Sequence, residues 1–402
     1  MTSHASPWEM SECVYLDANA TTPAAPEVVE AMLPFLLTQF GNASSGHRFG
    51  RDVLQAIKAA RQKVQALIGA EHDDEIIFTS GGTEADATAI SSAVKAQPDR
   101  DRIIITALEH PAVRAPCEQL RKDGYDVQIL PVDPQGGLDL DAFQNLLTPR
   151  VALVSAMWAN NETGHLLPVA RMAEMARERG ILFHTDAVQA VGKIPISLKD
   201  SAIDMLSLSG HKFFAPKGIG ALYLRRGARF RPLLRGGRQE NGRRAGTENT
   251  PGIVGLGKAA ELAAAHFTED GARMERLRDR LERALLAVPD SLVIGAGAPR
   301  LPNTSAIAFA GVASELLLPC LDQAGIAASS GSACSSGTLE PSHVLRALGV
   351  PQKFARGVVR FSLSRATTET EIDHVIAVVP QIVAQMRAGT KPVSGAKHVS
   401  GH

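Results

Sequence analysis

The chain is poor in cysteine, carries no net charge and has no long apolar run, and each shortage narrows what it can be. Four cysteines (Cys13, Cys117, Cys320, Cys334) in 402 residues do not make a disulfide framework, and no CxxC pair occurs. Lys plus Arg and Asp plus Glu both number 42, so no overall field draws the chain to nucleic acid or to an acidic membrane. Every long apolar stretch is broken by charge, Gly or Pro well short of the roughly 20 residues that a membrane helix needs. The opening MTSHASPWEMSEC lacks the basic and apolar blocks of a signal peptide. At the chain's glycine-rich turn neither GxGxxG nor the Walker pattern is present, which counts against dinucleotides and P-loop nucleotides. A soluble cytoplasmic protein with reduced thiols is expected.

What is there suits a folded enzyme. With 45% hydrophobic and 21% charged residues, a chain this long buries a core without covalent staples. Between about Val28 and His266, compact apolar runs (EIIFTS, RIIITA, VQILPV, VALVSAMW, ILFHTDA, DMLSLS, GALYLRR) alternate with stretches of helical spacing. That rhythm predicts an α/β layer with a mostly parallel sheet, in which GALYLRR supplies a local antiparallel partner. Beyond Thr250 come two long helical stretches with Gly271 as a bend between them, then strands and helices of a smaller α+β domain. The expected division is an N-terminal segment (1–22) packing with the small domain, a large domain (23–265), a small C-terminal domain (266–388) and a flexible tail (389–402).

Several residues stand where chemistry collects. Asp186 ends an apolar strand with Gln189 three residues on, a position suited to a bound ligand and equally to capping the next helix. Ser209, His211 and Lys212 follow directly on another buried strand, where a desolvated amine suits Schiff-base chemistry. Pyridoxal phosphate links the two, since it needs a lysine and an acidic partner for its ring nitrogen. Gly81-Gly82-Thr83, between a strand and a helix, then offers a phosphate site, though the same residues make an ordinary turn. His110 after RIIIT is either a ring-stacking or proton-moving group or a plain loop residue. Asn160 and Asn161 sit in a turn where an amide meets a ligand oxygen. Cys334 lies in a Ser/Gly-rich loop that exposes its thiol, as a nucleophile requires, whereas Cys320 inside LLLPCLDQ reads as a small buried hydrophobe. Arg365 at a strand end suits a bidentate grip on a carboxylate. From Arg225 to Arg244 there are eight arginines with Glu240 the sole acid, a run that fits interface ion pairs or phosphate contacts better than nucleic acid.

Taken together, GNASSGHRFG, TSGGTEAD, EHPAV, WANNETG, HTDAVQAVGK, SLSGHKFFAPKG, RRAGTEN and SSGSACSSG make the chain resemble the class I pyridoxal-phosphate cysteine desulfurases, most of all the nitrogen-fixation (NifS) type. The resemblance runs from VYLDANATTP to FSLSRATTETEID. It implies fold type I, the aspartate-aminotransferase architecture, as a homodimer with pyridoxal 5'-phosphate as cofactor. Lys212 would hold the cofactor covalently and act as general base, Asp186 would pair with the pyridine nitrogen, Gln189 would reach the ring hydroxyl and His110 would stack on the ring. Gly82, Thr83, Ser209 and His211 would hold the phosphate, with Thr247 reaching it from the partner subunit. Asn161, also at the cofactor, would bind the substrate carboxylate with Arg365. Cys334 would take the sulfur of L-cysteine as a persulfide, leaving L-alanine, and pass it to an iron–sulfur scaffold protein. No metal is implied in the cofactor site, and Cys334 would meet a cluster iron or a sulfur acceptor only transiently. Ala18, Ala85 and Ser335 depart from the family's commoner Asn, Ser and Thr. Within enzymes the rival is a selenocysteine lyase or an aminotransferase. Outside them it is a non-catalytic sulfur carrier, against which Lys212 and Asp186 both speak.

Overall fold

The computed structural model describes residues 13–330 and 341–389. They form two compact units. The larger comprises Thr21–Asn160 and His165–Glu269, and the smaller comprises the described residues up to Ala20, Asn161–Gly164 and those from Asp270 onward. In chain order the strands are β1 (Val14–Tyr15), β2 (Ile76–Thr79), β3 (Arg102–Thr106), β4 (Asp126–Leu130), β5 (Val151–Ser155) and β6 (Leu182–Asp186). They continue as β7 (Met205–Ser209), β8 (Gly220–Leu224), β9 (Ser291–Val293), β10 (Thr304–Phe309), β11 (Ile326–Ala327) and β12 (Val358–Ser362).

The larger unit is built on a seven-stranded sheet in the order β2-β8-β7-β6-β5-β3-β4. Strand β8 (GALYL) runs antiparallel to both neighbours and all other pairings are parallel, as the alternation of strands and helices predicts. Strands β2, β5, β6, β7 and β8 are buried along their whole length, which is why β2, β5 and β8 read as nearly continuous apolar runs, while β6 and β7 also bury polar residues. The helices are α1 (Pro26–Leu37), α2 (Arg48–Ile68), α3 (Gly82–Lys95), α4 (Pro111–Lys122), α5 (Leu140–Leu146), α6 (Val169–Arg177) and α7 (Thr250–Leu285). Helix α2 buries Val53, Ile57, Ala60, Val64 and Leu67, one stripe at steps of four and three, and stops at Gly69 in the left-handed conformation. Helix α3 presents Ala85, Ala89 and Ala93 to Ile77, Ile103, Leu153 and Leu222 of the sheet, and those small side chains let it lie close. Helix α7 is one uninterrupted helix of 36 residues that includes Gly271, where two successive helices were expected. One glycine costs a helix only about 1 kcal/mol, and the Ala, Arg, Glu and Leu around it outweigh that.

The smaller unit has a three-stranded antiparallel sheet, β12-β10-β9, and a parallel pair, β1 with β11. Its further helices are α8 (Ser314–Gln323), α9 (His343–Ala347), α10 (Gln352–Ala355) and α11 (Glu369–Arg387). Leu277 and Leu281 of α7, Ile307 and Phe309 of β10, Phe361 of β12 and Val375 and Val379 of α11 share one core cluster.

The sheet's directions decide where a site forms. Since β2 and β7 are each antiparallel to β8, they point the same way, and Thr79, Gly220 and Ser209 line up in register at one rim. The C-terminal ends of β3, β5 and β6 open on that same rim. Crevices at such strand ends are where open α/β sheets bind ligands.

Candidate active site

The rim begins with a cradle. Strand β2 leads through Ser80 into Gly81, whose φ of 154° no side chain tolerates well, and then into α3. Thr79 Oγ1 donates to the Gly81 carbonyl at 3.0 Å, and Ser80 N donates at 2.8 Å to Glu84 Oε2. Arg244 holds the same Glu84 carboxylate at 2.8 Å. A methyl group on Gly82 would meet Val188 at 2.7 Å and Ser209 Cβ at 3.5 Å, so this backbone lies directly against the ends of β6 and β7. The first N–H groups of a helix lack acceptors within it and carry the positive end of its dipole. Gly82 and Ser209 pack together at this helix start, and Thr83 is the next residue of α3, the kind of place where an anion can be bound.

Beside it stands the lysine turn. Residues Gly210–Lys212 form one short 3-10 turn at the end of β7. Thr22 clamps it from both sides: its hydroxyl donates to the His211 carbonyl at 3.0 Å and accepts from Phe214 N at 2.8 Å. His211 Nδ1 lies 3.1 Å from Thr21 Oγ1. Burial first, then the cations Lys212, Lys217 and Lys193, pull the His211 imidazole down to about 4, so it is neutral near pH 7. Phe214, with φ of 69°, turns the chain sharply just after the lysine.

Asp186 closes β6 and is buried, its Oδ1 accepting from Val188 N at 2.9 Å. Burial raises its pKa above the ordinary carboxylate value, against the pull of His110, that N–H and Lys212. Asp186, His110 and Lys212 are thus within electrostatic reach of one another. His110 caps α4, its Nδ1 accepting from Ala112 N at 3.1 Å. An Nδ1 that accepts leaves the proton of the neutral ring on Nε2. Burial lowers its pKa, with Asp186 pulling it up and Lys212 pushing it down. Gln189 is buried one turn beyond Asp186.

Under Asp186 lies a polar layer that sequence reasoning did not anticipate. His184 is fully buried, with Nδ1 2.8 Å from Ser155 Oγ on β5 and Nε2 2.9 Å from Ser207 Oγ on β7. Burial drives its pKa down to about 3, so it stays neutral. Asp86 Oδ1 on α3 is 3.5 Å from His184 Nε2 without closing a hydrogen bond. Burial, and then Asp186, push the Asp86 carboxyl well above its usual range. Glu109 Oε1 accepts from Thr106 Oγ1 at 2.6 Å and from Met157 N at 2.8 Å, and burial holds its carboxyl at about 8. Of these three carboxyls, Asp186 is the one whose charge acts on His110 and Lys212. One signal for this layer was in the sequence: His184 is two residues from Asp186 and so on the same strand face.

The other expected residues have contacts of their own. Asn160 is fully buried and its Nδ2 donates to the Leu108 carbonyl at 3.1 Å, a structural use. Asn161 belongs to the smaller unit, where Arg360 Nη1 at 2.9 Å and Asn19 Nδ2 at 3.2 Å grip its carbonyl. Arg365 follows β12 in that unit, its carbonyl accepting from Arg273. Thr247 is exposed on the larger unit. Cys334 lies outside the described residues. The arginine run is spent largely within the chain: Arg226 pairs with Asp74 at 2.9 Å, Arg244 with Glu84, and Arg225 binds the carbonyls of Ser201 and Ile203.

These groups fit pyridoxal phosphate. A buried acid whose charge is only partly compensated suits a cationic pyridinium, a lysine stands within its reach, and the glycine cradle beside them takes a phosphate. The class-V aminotransferase family matches residues 14–375. A cysteine desulfurase NifS of Azotobacter vinelandii is 61% identical over 93% of this chain and 93% of its own. Among solved structures, a NifS-like protein superposes with a TM-score of 0.86 at 36% identity, covering 92% of this chain and 99% of its own. Another, titled SspA in complex with cysteine, gives 0.78 at 34% identity over 88% of this chain and 100% of its own.

Proposed function

We infer from its site that this chain, which belongs to the class-V aminotransferase family, is a cysteine desulfurase. It has the type I fold of pyridoxal-phosphate enzymes and uses that cofactor. It converts L-cysteine to L-alanine and keeps the sulfur. The observation that carries this reading is that buried Asp186, at the end of β6, lies within electrostatic reach of His110 and Lys212, next to the α3 start where Gly82 packs on Val188 and Ser209.

When bound, pyridoxal phosphate supplies an electron sink for the α-carbanion of an amino acid. The residues that would hold it are Lys212 by its amine, Asp186 at the ring nitrogen, Gln189 at the ring hydroxyl, His110 against the ring, and Gly82, Thr83, Ser209 and His211 around the phosphate. Lys212 Nζ would serve as the base that takes the substrate's α-proton. Glu109, held at about 8, and His184, at about 3, are uncharged near pH 7, so the charged groups that act on Asp186 are His110 and Lys212. The thiolate of Cys334 attacks the substrate sulfur: the carbon–sulfur bond breaks, a sulfur–sulfur bond forms on Cys334, and the carbon keeps the electron pair and is protonated to alanine. The roles of Asn161 and Arg365 toward the substrate carboxylate, and of Thr247 toward a partner's phosphate, rest on the resemblance alone.

The chain works as a homodimer. Leu36, Leu37 and Phe40 of the larger unit are 59%, 70% and 72% exposed, an apolar group that water does not favour. The persulfide goes to an iron–sulfur scaffold protein in the cytoplasm, where thiols stay reduced. Among the described residues no helix is long and apolar enough to cross a membrane. The cofactor assignment is tested by borohydride reduction of the holoenzyme followed by peptide mapping. The label is expected on Lys212, and a label on another lysine would overturn the assignment.

A further inference from the structure

Lys193 is a buried lysine, 8% exposed, at the end of the segment HTDAVQAVGK. Its ammonium donates at 2.7 Å to Oε1 of Gln189, one helical turn earlier and itself 4% exposed. The contact is built in by the backbone. Gly192 is left-handed with φ of 77°, and a Cβ there would stand 2.9 Å from Phe213 Cβ, so the turn that carries Lys193 lies against the turn that carries Lys212. Lys193 is also among the cations whose field reaches His211.

An ammonium has three donors and no lone pair, so the amide atom that faces it must be the oxygen. That fixes the orientation of Gln189: the carbonyl is turned to Lys193, and the NH2 is the end presented away from it. We propose that Lys193 is a positioning residue of the cofactor site, which locks the Gln189 amide with its N–H donors toward the ring oxygen of pyridoxal phosphate. The proposal rests on the reading of Asp186, Gln189 and Lys212 as the cofactor's residues. A rotated amide would offer its carbonyl to an anionic ring oxygen, replacing a charge-assisted hydrogen bond by a repulsion. Lys193 removes that alternative.

The test is titration of the full-length apo protein with pyridoxal phosphate, reading both affinity and the absorption maximum of the bound cofactor. Lys193→Met should weaken binding on the order of tenfold, the equivalent of one charge-assisted hydrogen bond, and shift the absorption maximum. Lys193→Arg, which keeps the donors, should bind as the unaltered protein does. In a Gln189→Leu background the added Lys193→Met change should alter affinity little, because the group it positions is gone. Gln189→Glu keeps a partner for Lys193 but loses the N–H donors, so it should stay folded yet bind about tenfold more weakly. That variant keeps the test decisive even if Lys193→Met fails to fold. Unchanged affinity and spectrum in Lys193→Met or in Gln189→Glu, or losses that simply add in the double variant, would overturn the proposal. Failure of the unaltered protein to bind pyridoxal phosphate is a different result, which overturns the reading of the site itself.

Discussion

Gly220 lies so close beneath Gly81 that a methyl group on it would stand 2.8 Å from the Gly81 Cα and 2.5 Å from the Leu208 carbonyl oxygen. Both neighbours are backbone, so neither swings aside. Gly220→Ala should force β8 away from the cradle, cost about 1–3 kcal/mol of stability and weaken pyridoxal-phosphate binding more than it alters the sheet. Thermal unfolding together with cofactor titration checks this. A variant with unaltered affinity would show that the cradle does not depend on the close approach.

Thr22 offers a second handle on the same rim. Thr22→Val keeps the shape of the side chain but removes the hydroxyl that joins the His211 carbonyl to the Phe214 amide. A loss of about 1–3 kcal/mol is expected, with slower covalent attachment of the cofactor at Lys212, and Thr22→Ser should restore both. The rate at which the visible absorption of bound cofactor appears is the measurement. Equal rates in Val and Ser variants would deny Thr22 its hold on the turn.

Glu109 makes a pH prediction. Burial raises its carboxyl from an ordinary 4.5 to about 8, so the folded chain keeps a proton that the unfolded chain gives up. Its favourable contribution is therefore complete below about pH 4.5 and is lost progressively as pH rises toward 8. Glu109→Gln keeps an acceptor for Thr106 and Met157 and titrates nowhere, so it should flatten this decline, whose upper slope is on the order of 1 kcal/mol per pH unit. Unfolding of the apo proteins between pH 5 and 8 gives the comparison. Parallel curves would mean that Glu109 is ionised in the fold.

The fold and the first layer of the site were legible for a physical reason. Fully buried parallel strands are mostly apolar, so the runs around β5, β6 and β7 announce themselves, and the polar residues that follow them, such as Asp186 or Lys212, stand out. His184 and Asp86 were hidden by the same rule. Inside an apolar run a lone polar residue reads as noise until its neighbours on other elements are known, and Ser155, Ser207 and Asp86 come from three separate segments. Thr22 was hidden because its partners are His211 and Phe214, far along the chain. At Gly271 the flanking helix formers carry α7 through as one helix where the sequence suggested two.

The proposed dimer is tested at an exposed apolar group. Phe40 stacks on Phe49 with ring centres 5.7 Å apart, beside Leu36 and Leu37. Leu37→Asp combined with Phe40→Asp should convert the dimer to a monomer in sedimentation velocity, with little loss of fold because both positions are exposed. An unchanged sedimentation coefficient would move the interface elsewhere.

Desulfuration itself is tested by incubating the purified holoenzyme with L-cysteine and measuring alanine and protein-bound persulfide in a single turnover, with Cys334→Ala and Cys320→Ala alongside. Cys320 is half-buried on α8, so its removal should cost packing on the order of 1 kcal/mol and leave the chemistry intact. The unaltered protein should yield alanine and persulfide in equal amounts, with the sulfur on Cys334, and Cys334→Ala should bind cofactor and cysteine yet release neither product. Alanine and persulfide formed at full rate by Cys334→Ala, or no alanine from the unaltered holoenzyme, would contradict a cysteine desulfurase acting through Cys334.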